Sequence, residues 1–141
     1  MWLEIEKRLF DQVVHSASGL DYETGGFIGI RDNKVCMWSF DKGIKSEQGG
    51  IYCPNKDHFH TIIRRWEKEK ITNLGIVHTH LNGNPKLSKE DIRYINSIFE
   101  NNETLMEMVF PVIIPDKSFH IYYAYRSDET ILINKIPLKI I

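Results

Sequence analysis

Residues 73–92 read NLGIVHTHLNGNPKLSKEDI. The first part, through His80, is an apolar run rich in β-branched residues and predicts a strand. A loop carrying Gly83 and Pro85 follows. Ser88 then stands where a helix N-cap belongs, and Ile92, Ile95 and Phe99 repeat on one helical face before the stop at Asn101 and Asn102. A strand that feeds a capped helix through a short loop marks a domain of mixed α and β elements.

The flanking segments agree with that unit. Ile5, Leu9, Val13 and Ala17 lie four apart, so residues 4–17 predict a helix closed by Gly19. FIGIR (27–31) and VCMWSF (35–40) are strand formers separated by Asp32 and Asn33, a hairpin signal. GGIYCP (49–54) reads as a short strand. From Asn55 onward Phe59, Ile62, Ile63 and Trp66 predict a second helix, and three closing strands follow in EMVFPVIIP (107–115), FHIYYAYR (119–126) and TILINKIPLKI (130–140). The fold class is α/β, a single mixed sheet flanked by about three helices, with residues 1–141 forming one domain.

Composition narrows the function. Eighteen basic and nineteen acidic side chains give a formal net charge of -1, and no basic stripe favours nucleic acid as a partner. The N-terminal stretch MWLEIEKRLFDQVV has acids among its apolar residues, unlike a signal peptide, and no apolar run reaches membrane-spanning length. Cys36 and Cys53 cannot build a disulfide framework or a four-thiolate zinc site. The expected compartment is the cytoplasm.

Alternate side chains of a strand share a face, so His78 and His80 can reach one ion while Val77 and Thr79 point into the other layer. A catalytic zinc takes three protein ligands and leaves one position for water. Asp91, in the first turn after Ser88, can supply the third ligand, because the positive end of the helix favours its ionised form. S-x-x-D is also an ordinary capping box, and the two roles are compatible. His58 and His60 form a second H-x-H, but two residues apart on a helix they face different directions; these, with His15 and His120, read as surface or packing residues. No Ser–His–Asp relay is legible.

The pattern H-x-H, seven residues, S-x-x-D, formed here by His78, His80, Ser88 and Asp91, resembles the JAMM (MPN-plus, JAB-domain) zinc metalloprotease motif. The family places a glutamate upstream beside a glycine-rich strand start, and E-T-G-G-F-I-G (23–29) is similar to that feature. The resemblance runs over most of the chain. Leu81 and Leu87 stand where the family often has proline. It implies a curved, deaminase-like JAB/MPN sheet and one Zn2+ per chain on His78, His80 and Asp91. It also implies Glu23 as general base and Ser88 as a hydrogen-bonding partner of the water or oxyanion. Without it, Glu23 is one turn carboxylate among Asp21, Asp32 and Asp41. The substrate it implies is an amide or isopeptide bond after the tail of a ubiquitin-like protein, entering as a strand added at a sheet edge beside His80. A homodimer is compatible with the sequence. The alternatives are a noncatalytic MPN-type scaffold using KIPLKII as an interface and a RadC-like DNA-repair-associated protein, the latter disfavoured by charge.

Overall fold

A computed structural model of the chain describes residues 1–17, 22–44, 52–115 and 117–141. Eight strands form one mixed sheet: β1 (Leu3–Ile5), β2 (Gly25–Arg31), β3 (Lys34–Asp41), β4 (Asn73–Thr79), β5 (Glu107–Ile114), β6 (Ser118–Ser127), β7 (Thr130–Ile136) and β8 (Leu138–Ile140). Three helices interrupt them: α1 (Lys7–Ala17), α2 (Lys56–Glu67) and α3 (Lys89–Glu100). Across the sheet the order is β7-β6-β5-β4-β2-β3-β1-β8. The β4–β5, β1–β3 and β1–β8 pairs are parallel and the others antiparallel.

The two outermost strands, β7 and β8, are joined by Pro137 alone. Seven flat inter-strand spacings would set them about 34 Å apart, whereas one linking residue spans about 7 Å. The sheet therefore curls until its ends meet. The mixed α/β architecture expected from sequence is observed.

Each face of the sheet carries its own core. On one, Val13 and Ala17 of α1 pack with Ile28, Ile30, Val77, Val109 and Ile113. On the other, Ile62 and Trp66 of α2 and Ile95 and Phe99 of α3 pack with Phe27, Ile76, Met108 and Phe110. Ile76 and Val77 point to opposite faces, as the strand reading requires, which puts His78 on the α2/α3 face.

Three readings need correction. Residues 3–5 are a strand and not the start of the first helix: β1 pairs with β3 and β8, and Leu3 and Ile5 reach the core as strand residues. A four-residue spacing that includes Ile5 cannot distinguish the two. TILINKIPLKI is two strands, because Pro137 breaks the run and sends β8 to the far edge, where β1 takes up KIPLKII as an intramolecular partner. Of GGIYCP, residues 49–51 lie outside the described residues, and Tyr52 to Pro54 are irregular.

Candidate metal centre

His78 occupies the last turn of pairing on β4, opposite Gly25 of β2 and Val112 of β5. His80 follows the strand, and its N–H donates to Ile113 O at 3.0 Å, which keeps the chain extended one step further. The two imidazoles thus keep strand-like alternation and meet on one side. Asp91 arrives from α3. Ser88 caps that helix: Asp91 N donates to Ser88 Oγ at 3.0 Å and Ser88 N to Asp91 Oδ2 at 2.9 Å, the reciprocal bonds of a capping box.

The donor atoms converge. His78 Nε2 lies 2.9 Å from His80 Nε2 and 3.3 Å from Asp91 Oδ1, and His80 Nε2 lies 3.0 Å from Asp91 Oδ2. A tetrahedral ion with metal–nitrogen bonds of about 2.0–2.1 Å holds its ligand atoms about 3.3 Å apart. The three side chains are 12%, 7% and 18% exposed, shielded yet open on one side. His80 Nδ1 donates to Asn84 O at 2.8 Å, which leaves Nε2 as the lone-pair nitrogen toward the other two groups. Two imidazoles and a carboxylate in this arrangement fit a divalent cation.

The loop between strand and helix is built for that contact. Gly83 has φ +78, Asn84 N donates to Asn82 Oδ1, and Lys86 N donates to Asn84 Oδ1, so side-chain turns fix the Asn84 carbonyl. The Tyr122 hydroxyl donates to Pro85 O. Leu87 packs against the core and Leu81 is exposed, so leucines at these two positions leave the ligands in register.

Burial alone would raise the Asp91 carboxyl, but hydrogen bonds from His78, His80 and Ser88 outweigh it and hold it far below the carboxylate range. Burial likewise opposes the charged form of His80, and Asp91 with Asn84 O more than offsets it, so its pKa is raised.

Glu23 sits just before β2. Thr79, between the two histidines but on the opposite face, fixes this segment: Thr24 N donates to Thr79 Oγ1 at 3.0 Å and Thr79 N to Thr24 O at 2.9 Å. Glu23 lines a cavity of about 190 Å³ with His78, Asp91, Glu90, Ile76, Tyr52, Pro54, Tyr94 and Phe110 among its walls. Its Oε2 accepts from Tyr52 N at 3.2 Å. Desolvation raises its pKa, and the Tyr52 N–H partly counters that. The structure therefore brings Glu23 to the cavity that His78 and Asp91 border. Ser88 is exposed and meets Asp91 as the cap of α3.

Other expectations do not hold. β4 lies between β2 and β5 and His80 is buried, so among the described residues no free strand edge is available beside His80 for an added strand. Asp41 is no solvated turn carboxylate: it is buried at the end of β3. It accepts from the Tyr52 hydroxyl at 2.8 Å, Asn55 N at 3.0 Å and His58 Nδ1 at 2.9 Å. His58 Nε2 in turn lies 3.0 Å from Ser39 Oγ, so a Ser–His–Asp sequence of contacts exists that spacing along the chain did not disclose.

No family profile and no curated protein matches the chain. Solved structures do resemble it. The solution structure of a protein from Desulfitobacterium hafniense is 15% identical with a TM-score of 0.62, covering 100% of this chain and 94% of its own. One from Salinibacter ruber is 16% identical with a TM-score of 0.55, covering 99% and 92%. These likenesses are of fold. Among the described residues, no helix is long and apolar enough to cross a membrane.

Proposed function

We propose that the chain is a zinc-dependent metallohydrolase of the JAMM (JAB/MPN-plus) type, cutting an amide or isopeptide bond after the C-terminal tail of a ubiquitin-like protein. The observation that carries the reading is the meeting of His78 Nε2, His80 Nε2 and the Asp91 carboxylate, with His80 oriented through Asn84 O, beside the cavity that His78 and Asp91 share with Glu23. His78, His80 and Asp91 would hold the ion. Zinc, when bound, supplies Lewis acidity for the attack of water on an amide carbonyl at neutral pH.

The chain's own groups do the rest. Glu23 takes a proton from the attacking water and returns it to the departing amine; half-burial moves its pKa up, toward the range in which a base works near neutrality. The Ser88 hydroxyl spends a lone pair on Asp91 N and keeps its proton to donate to the water or the developing oxyanion. The walls contributed by Ile76, Tyr94 and Phe110 exclude water and suit an extended tail with an apolar side chain. With no strand edge open at β4, the tail lies across this cavity between the 52–54 segment and the start of α3.

The test is metal content and cleavage of a ubiquitin-like protein fused through its tail to a reporter, for wild type and Glu23→Gln. About one zinc per chain in both is expected, with activity lower by about 10²–10⁴-fold in the variant. A folded wild type that takes up no zinc would end the metal reading, and a fully active Glu23→Gln would end the assignment of the base.

A further inference from the structure

Burial of Asp41 requires an explanation, because an ionised carboxylate loses hydration there and persists only if its oxygens are well supplied with donors. It has three, and all come from a single stretch of chain: the Tyr52 hydroxyl, Asn55 N and the His58 ring. Asn55 also caps α2, accepting from His58 N at 3.2 Å, so Asp41 ties the end of β3 to the start of α2 and to the irregular segment before it. The same segment carries a backbone N–H that meets Glu23, Tyr52 N to Oε2 at 3.2 Å. The Tyr52 ring lies against Gly25, where a Cβ would stand 2.6 Å from Cε2.

We propose that Asp41 is a positioning residue for Glu23, acting through Tyr52: the buried carboxylate fixes both ends of the 52–55 segment, and the segment fixes the Glu23 carboxylate against the cavity. This rests on the metallohydrolase reading for its catalytic meaning, although the anchor itself stands on the hydrogen bonds alone. Two bonds to Asp41 Oδ2, from the Tyr52 hydroxyl and Asn55 N, enclose Tyr52 to Asn55, so the Tyr52 N–H has little freedom to leave Glu23. A base displaced by about 1 Å costs on the order of a hundredfold in rate without changing how substrate binds. His58 completes the donor set of Asp41.

Two variants test this in the zinc-loaded chain. Asp41→Asn removes the charge from the anchor, and Tyr52→Phe removes one hydroxyl and leaves the ring and backbone in place. With ubiquitin carrying an aminocoumarin amide at its C-terminus as probe, each is expected to lower kcat at least tenfold with KM within twofold and zinc content unchanged. Ser39→Ala, outside the Tyr52 connection, is expected within threefold of wild type. Independently of cleavage, the Tyr52 amide is expected to exchange with solvent at least tenfold faster in Asp41→Asn and in Glu23→Ala. Wild-type exchange of Tyr52 in Asp41→Asn overturns the anchor whether or not the probe is cut. Intact kcat in Tyr52→Phe alongside a dead Glu23→Gln overturns the positioning while leaving the base in place. Loss of activity in Ser39→Ala with Tyr52→Phe unaffected overturns it too, since the Asp41 cluster would then act as a relay in its own right.

Discussion

His80 and Asp91 face each other across 3.0 Å, and this pair should give the metal-free chain a pH dependence opposite to that of the loaded one. The His80 pKa is raised from 6.5, so its contribution to stability is complete below about 6.5 and is lost as pH rises through the higher folded value. The Asp91 pKa is lowered from 3.8, so its contribution is present above about 3.8 and is lost only as pH falls through the depressed folded value. Without metal, the pair favours the folded state most between these limits, and the melting temperature should fall from pH 6 to pH 8.5. With zinc, protons compete for the same imidazoles and the slope should reverse. Thermal melts across that range with zinc and with chelator check the sign, and equal slopes would remove the pair from the account. Gly25 makes a second case at this scale. A Cβ there would lie 2.0 Å from Val77 O, so Gly25→Ala should cost about 1–3 kcal/mol and displace the neighbouring Glu23. Denaturant unfolding reads the loss. The first glycine of E-T-G-G, two residues after Glu23, is therefore a packing requirement of β2 against β4 and of the Tyr52 ring.

Among the elements, α3 does two jobs with one turn. Ser88→Ala should remove about 1 kcal/mol of capping and leave zinc bound, because Asp91 keeps its two histidine neighbours. Asp91→Ala should remove the reciprocal half of the capping box and the metal together, while Ser88 Oγ still accepts from the backbone N–H of residue 91. Calorimetric zinc titration beside unfolding measurements separates the two, and equal zinc affinity in both variants would deny Asp91 its place as a ligand. This element was legible in the sequence because its cap, apolar face and stop are local signals, and α2 with its apolar face and the β2–β3 hairpin at Asp32 and Asn33 were legible for the same reason. The meeting of His78, His80 and Asp91 could be read because strand alternation and a first helical turn fix where such side chains point. Glu23 could not be told from other turn carboxylates on spacing, since its position depends on the contact of Thr24 with Thr79, 55 residues away. Asp41 and His58 were misread as ordinary surface or packing groups for a similar reason. What distinguishes them is a set of partners drawn from β3, α2 and residue 52, and no single element carries a trace of it. The orienting group on His80 is a backbone carbonyl, so the identity of Asn84 carries no sign of that contact.

At the scale of the whole molecule, the curl of the sheet depends on its two shortest strands. β1 and β8 have three residues each, too few for any periodicity to show, and they pair across nearly the full length of the chain. Yet Leu3 and Ile5 are fully buried, and the C-terminal strand holds them there: Leu3 N donates to Pro137 O at 3.1 Å, Ile141 N to Ile5 O at 2.9 Å, and Lys7 N to Ile141 O at 2.9 Å. The last of these also fixes the first turn of α1, so the joint links the sheet edge to the helix that covers one face. Removing residues 138–141 should return part of Leu3 and Ile5 to water and delete the two backbone bonds made by Ile141, at a cost of about 2–4 kcal/mol. For a chain of this size that corresponds to a melting temperature lower by roughly 10 °C. The candidate metal centre has His78 on β4, separated from β8 by β2, β3 and β1 in the sheet. Zinc affinity of the folded truncated chain should then stay within about threefold of the full chain, since sites without shared partners are energetically independent. A truncated chain that melts as the full one does would show that the curl is held by β2 to β7 alone. A parallel collapse of zinc affinity would show that the curvature set at the edge reaches the histidines through the sheet.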